Sequence, residues 1–80
     1  MALLWKKTMQ QISEHFGIDK YATRKAKVVL ENDTYGVEYI MHGSLVSYRV
    51  FPGHSVYMAE DAAENWVTGV LGYEHVTTDY

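Results

Sequence analysis

The chain has no cysteine and a single proline among its 80 residues. Without cysteine it cannot form a disulfide or bind a metal through thiolates, which fits a reducing compartment. No apolar run approaches the roughly 20 residues that a transmembrane helix requires. Residues 1–5 are mostly apolar and precede Lys6 and Lys7, the reverse of the order in a secretion signal. We therefore expect a soluble, cytoplasmic protein that does not contact membranes.

The composition is that of a folding chain with an uneven distribution of charge. Hydrophobic residues make up 48% and aromatic residues 14%, which predicts one small domain over residues 1–80 with a single core. Six basic residues against two acidic ones give residues 1–30 a charge of +4, whereas one basic residue against eight acidic ones gives residues 31–80 a charge of −7. This division bears on partners and solubility and not on the fold.

Apolar residues recur with helical spacing at the start of the chain and predict an amphipathic helix over about residues 2–16. They are Trp5, Met9, Ile12 and Phe16. Gly17 follows this stripe, as expected of a residue that ends a helix with positive φ.

Three strand-like runs follow over about residues 26–51, separated by Asn32-Asp33 and by His42-Gly43. Both dipeptides favour turns, and the second suits a two-residue hairpin loop. That hairpin predicts Tyr39 opposite Val46 and Val37 opposite Tyr48. The residues it leaves on the outward side of the sheet are Glu38, Ile40, Leu45, Ser47, Arg49 and Phe51.

A final helix is predicted over about residues 55–71, with Ser55 as its N-cap and Gly72 at its end, followed by a polar tail over residues 73–80. The element order is then α-β-β-β-α. We predict an α+β fold: a single αβββα domain with a three-stranded antiparallel sheet and two helices packed on one face.

The turn and the small residues of the last helix carry a resemblance to a known family. Gly53-His54-Ser55, followed by Ala59, Ala62, Ala63 and Val67, is similar to the glycine-rich turn, capping serine and alanine-rich second helix of double-stranded RNA-binding domains. The resemblance implies the αβββα fold. That family grips RNA phosphates with lysines at the start of its second helix.

The RNA-contacting residues of the family have no counterpart here. The matching helix positions are Val56, Tyr57 and Glu60, and the loop of residues 32–35 lacks the family's Gly-Pro and histidine. Since carboxylates repel phosphate, the resemblance implies the fold without the usual RNA binding.

Residues 37–70 also resemble small uncharacterised proteins of tailed phages that infect marine cyanobacteria. This likeness implies a small phage protein that binds one macromolecule in the host cytoplasm.

Two surfaces lead to the main functional hypothesis, a non-enzymatic protein that acts through protein–protein interaction. The first is an acidic face of the last helix, with Tyr57, Glu60, Asp61 and Glu64. The second is the outward sheet face with Ile40, Leu45, Arg49 and Phe51, which would contact either another protein or a second copy in a homodimer. The plainer interpretation of the acidic residues is a solvated first turn that the helix dipole favours.

The alternative hypothesis is a nucleic-acid-binding protein, RNA or DNA, that uses the basic segment of residues 20–27. Basic side chains beside a stacking ring suit single-stranded nucleic acid. The residues concerned are Lys20, Tyr21, Arg24, Lys25 and Lys27.

Catalysis and metal binding have no sequence support. The four histidines lack the i, i+4 spacing of a helical ligand pair, and no nucleophile stands in a recognisable setting. They are His15, His42, His54 and His75. We therefore expect no enzymatic activity, no metal and no cofactor.

Overall fold

The structure is a computed structural model, and it describes residues 9–77. Four strands form one antiparallel sheet in the order β1-β2-β3-β4, and two helices follow. The strands are β1 (Gln10–Phe16), β2 (Arg24–Glu31), β3 (Thr34–Met41) and β4 (Ser44–Phe51), and the helices are α1 (Val56–Val67) and α2 (Tyr73–Thr77). The predicted α+β class is confirmed, but the sheet has four strands and not three.

Both predicted two-residue turns are present and explain why β2, β3 and β4 form a continuous meander. Asn32 and Asp33 have φ of 53° and 61°, and His42 and Gly43 have φ of 55° and 79°. Two successive residues with positive φ give the turn whose twist matches that of paired strands. The hairpins are therefore set by local backbone chemistry.

The predicted helix over residues 2–16 is wrong for its described part, because Gln10–Phe16 is strand β1. It pairs with β2, bringing Gln10 opposite Leu30 and Phe16 opposite Lys25. Pairing with β2 satisfies a whole row of backbone N–H and C=O groups that would otherwise lie unpaired at the edge of the sheet. This gain outweighs the helix preference suggested by the spacing of four apolar residues. Residues 2–8 of that prediction lie outside the described residues.

The core lies between one face of the sheet and α1. Strands β2 and β3 contribute Ala26, Val28, Val37 and Tyr39, and α1 contributes Ala59, Ala63, Trp66 and Val67. Small alanines let α1 lie close to the strands, and the fully buried Trp66 fills the centre. Its ring meets Tyr39 edge to face at 5.5 Å, and its Nε1–H donates to the carbonyls of Lys25 and Ile40.

A bulge in β4 changes which of its side chains face α1. The pairing passes from Ile40 opposite Leu45 to Tyr39 opposite Ser47, so Val46 is an extra residue. The predicted pairs Tyr39–Val46 and Val37–Tyr48 are therefore wrong, and Val37 lies opposite Arg49.

After the bulge, the side chains of β4 lie on the faces opposite to those predicted. Phe51 pairs with Tyr35 and packs against the core, and Arg49 shares the helix-covered side, both contrary to the predicted outward face. Tyr48 and Val50 lie on the other face instead. A single extra residue reverses every later side chain because strands alternate with a period of two.

The last helix is shorter than predicted, and the tail is not irregular. Ser55 has the extended backbone of an N-cap but makes no side-chain capping bond, and α1 ends at Val67 rather than at residue 71. Gly69 has φ of 88° and ends the helix by donating its N–H to the Trp66 carbonyl. Within the predicted tail, Tyr73–Thr77 forms α2 with Val76 buried in the core. Residues 78–80 lie outside the described part.

Candidate functional site: the open face of the sheet

One face of the sheet carries no helix among residues 9–77, and we call it the open face. The registers arrange its side chains in three rows across the four strands. The near row is Phe16, Lys25, Ile40 and Leu45; the charged row is Glu14, Lys27, Glu38 and Tyr48; the far row is Gln11, Val29, Gly36 and Val50. A band of charge thus lies between two largely apolar rows.

The apolar residues at the two edges of the open face are accessible to a partner. Phe16 is 63% exposed, Leu45 59%, Val50 45% and Tyr48 39%. Other exposed apolar side chains are scattered over the described surface, as is ordinary, but these four lie on one face of the sheet. The middle strands are different, since Val29 is only 3% and Ile40 only 9% exposed.

The charged row contains a pair without an ion-pair partner. Lys27 lies directly opposite Glu38 across β2 and β3, yet neither forms an ion pair with any of residues 9–77. Lys25 and Glu14, by contrast, are joined at 3.4 Å, and the Lys25 ammonium also lies 5.9 Å from the Phe16 ring. Lys27 and Glu38 therefore keep their charges available for a partner.

The side chain of Tyr48 extends from β4 to Gly36 on the neighbouring strand β3. A Cβ on Gly36 would come within 2.7 Å of the Tyr48 hydroxyl, so the absence of a side chain on Gly36 leaves room for the Tyr48 ring. Burial of the ring and the negative charges of Glu31 and Glu38 raise the pKa of the Tyr48 hydroxyl, which stays protonated as a hydrogen-bond donor.

The predicted acidic face of α1 is partly occupied by a histidine on β1. His15 Nε2 lies 2.6 Å from Glu60 and its Nδ1 lies 3.0 Å from Glu64. Ser13 also donates its hydroxyl to Glu60, at 2.8 Å. Only the doubly protonated imidazolium can donate to both carboxylates. Glu60 and Glu64 therefore tie β1 to α1, while Asp61 and the 78% exposed Tyr57 lie free of that contact.

Electrostatics favour the charged form of His15. Burial lowers the pKa of His15, but hydrogen bonds from the ring to Glu60 and Glu64, together with their negative charge, outweigh that effect and raise it above 6.5. Ser13 Oγ lies 3.4 Å from His15 Nε2, and its hydroxyl donates to the Glu60 carboxylate.

Much of the basic segment is engaged within the protein. Arg24 donates to the carbonyls of Trp66 and Leu71, at 2.9 and 2.8 Å, and its guanidinium stacks 4.1 Å from the Trp66 ring and 5.0 Å from the Tyr21 ring. Lys20 also lies over Tyr21, at 5.5 Å. Arg24 thus closes the carboxyl end of α1, where cations are favoured.

The predicted site residues of the sheet therefore divide between its two faces. Ile40 and Leu45 lie on the open face, as do Lys25 and Lys27 from the basic segment, whereas Arg49 and Phe51 are on the helix-covered side. The sequence interpretation did not include Phe16, Tyr48 and Val50. Phe16 was missed because its spacing predicted a helix. Tyr48 and Val50 were missed because the bulge at Val46 moves them to the face opposite to the predicted one.

Within the described residues no three histidine or carboxylate side chains come together as metal ligands, and neither helix has the length and apolar composition needed to cross a membrane. Comparison with protein-family models, with curated proteins and with solved structures finds no match.

Proposed function

We propose that this chain is a small non-enzymatic binding protein that recognises another protein through the open face of its sheet. The observation that supports it most is the joint exposure of Phe16, Leu45, Tyr48 and Val50 on a face without a helix among residues 9–77. Aromatic side chains are enriched in protein interfaces relative to the rest of the surface.

The acidic surface of α1 is a smaller part of this proposal than the sequence suggests. Glu60 and Glu64 hold His15, which leaves Tyr57 and Asp61 as the outward groups. Both residues lie on α1, which packs on the other face of the sheet, so they form a surface separate from the open face.

Nucleic-acid binding through residues 20–27 has less support. Arg24 is held by two carbonyls and Lys25 by Glu14, so phosphate would have to displace existing contacts. The open face also holds the acidic Glu14 and Glu38 beside its lysines, and carboxylates oppose the counterion release that drives such binding.

The resemblances to double-stranded RNA-binding domains and to phage proteins stay hypotheses. The described order β-β-β-β-α-α differs at its start from the αβββα order of the former. Neither resemblance contributes to the proposal, and a role in a host cytoplasm stays a prediction of the second.

The experiment is site-specific photo-crosslinking in the native cell, with the photoreactive residue at Leu45 and, as a control, at Val70, which is 67% exposed but follows α1. We expect a discrete protein adduct from position 45 and none from position 70. If the adduct contains a different protein, excess wild-type chain should abolish it, whereas the variant Leu45→Asp/Val50→Asp should not. Adducts that nuclease removes, or equal labelling from both positions, would contradict the proposal.

A further inference from the structure

We propose that the partner of the open face is a second copy of this chain, packed face to face about a two-fold axis parallel to the strands. This inference deepens the proposed function and rests on it. Its basis is the order of charges in the charged row. When two copies stack face to face, opposite charges meet if the two-fold axis is parallel to the strands, and like charges meet if it is perpendicular to them.

The symmetry determines which strands meet. A two-fold axis parallel to the strands, between the two sheets, places β2 of one copy over β3 of its partner and β1 over β4. Lys27 then lies over the other copy's Glu38, and symmetry repeats this contact. In the same arrangement Phe16 lies over Leu45, so apolar residues meet at the ends of the near row.

The other orientation that brings the open faces together is unfavourable. An axis perpendicular to the strands, passing through the charged row, would place Lys27 over Lys27 and Glu38 over Glu38. Like charges brought together in an interface disfavour that pairing.

The other residues of the charged row fit the same orientation. Glu14 comes over the other copy's Tyr48, which carries no charge to oppose the carboxylate. Lys27 and Glu38 have no ion-pair partner among residues 9–77, so both are free to make the intermolecular contact.

Pairing through a sheet edge is a less suitable route to a dimer. Both edge strands carry a bulge, β1 at Ile12 and β4 at Val46. Bulges twist an edge and interrupt its row of hydrogen bonds, which discourages addition of another strand.

The face is small, and this sets the expected affinity. Four strands about 4.8 Å apart and seven residues of about 3.3 Å each give a face of about 19 Å by 23 Å. Such an area lies at the lower end of specific interfaces, so we expect a reversible dimer with micromolar dissociation.

The first measurement is sedimentation velocity of the full chain from about 1 µM to about 1 mM, the range that covers weak to moderate self-association. Wild type should pass from monomer to dimer. Lys27→Glu and Glu38→Lys should each weaken the dimer at least about tenfold, since each places like charges over one another. Asp61→Lys is the matched control for the second change, and it should dimerise as wild type does.

Mixing the two charge variants separates loss of the interface from loss of folding. Each variant alone carries matching charges at positions 27 and 38, but in a mixture every contact between them joins opposite charges. We expect the equimolar mixture to recover dimer with about wild-type affinity. A mixture that stays monomeric, while circular dichroism shows both variants folded, would overturn the charge pairing.

Cross-linking tests the axis itself, helped by the lack of any native cysteine. With a short bis-maleimide, Phe16→Cys mixed with Leu45→Cys should give a cross-linked dimer, whereas Leu45→Cys mixed with Val50→Cys should not. The perpendicular axis predicts the reverse result and would overturn the inference.

A wild-type chain that stays monomeric to about 1 mM would overturn the second-copy inference. The proposed function would then still stand if photo-crosslinking from position 45 gave a competed adduct with a different protein. Absence of both results would contradict the two proposals together.

Discussion

The two faces of this sheet are built from the same four strands, yet they differ in how their polar groups are used. On the covered face Arg24, His15 and the Trp66 indole each reach a named partner on another element. On the open face Lys27 and Glu38 lie side by side without an ion pair among residues 9–77. The polar contacts that join the sheet to α1 therefore lie on the covered face, whereas the one ion pair of the open face among residues 9–77, between Lys25 and Glu14, joins only β1 and β2.

The largest expected effect tests this comparison through stability. Trp66→Ala should lower the free energy of unfolding by about 3–5 kcal/mol, because it removes a large buried side chain and two hydrogen bonds. Leu45→Ala, on the open face, should change it by no more than about 0.5 kcal/mol. Urea denaturation followed by circular dichroism measures both. Comparable losses would mean that the open face also supports the fold.

A middle effect concerns the two arginines of the helix-covered side. Arg24→Met should cost about 1.5–3 kcal/mol, since it removes charged hydrogen bonds to the carbonyls of Trp66 and Leu71. Arg49→Met is the matched control, because Arg49 is exposed at the edge strand β4. Thermal unfolding of the two variants side by side gives the difference. Equal stability would show that Arg24 does not hold the end of α1.

The smallest effect is the pH dependence of the tie between β1 and α1. Because the pKa of His15 is raised in the folded state, its stabilising contribution is complete below pH 6.5 and is lost as the pH rises through the raised value. His15→Gln should therefore flatten the stability profile over that window. Glu60→Gln should lower the pKa of His15, measured by NMR titration of the ring protons, and an unchanged titration would contradict the tie.

Local chemistry explains which elements could be predicted. The two hairpin turns require positive φ at both central residues, and Asn32-Asp33 and His42-Gly43 are residue types that tolerate it. Both hairpins could therefore be predicted from four residues. The start of α1 follows from Ser55 and from the alanines that pack on the sheet. Both signals lie within a few residues of the element that they specify.

The errors concern features that depend on distant residues. Gln10–Phe16 forms a strand because it can pair with the free edge of β2. Its own sequence shows little of the alternation of apolar and polar residues that would predict a strand. The bulge at Val46 leaves no mark in the sequence, yet it decides the faces of Tyr48, Val50 and Phe51. His15 meets Glu60 across 45 positions of chain, and no periodicity reports a contact of that range.

The order of the elements along the chain has a consequence for synthesis. All four strands leave the ribosome before α1, so a nascent meander presents Val28, Val37 and Tyr39 to water until Trp66 has been added. An intermediate of this kind, apolar on both sheet faces, is prone to aggregate or to recruit chaperones. Truncation after β4 should therefore yield insoluble protein, and the final third of the chain acts as the element that makes the rest of it soluble.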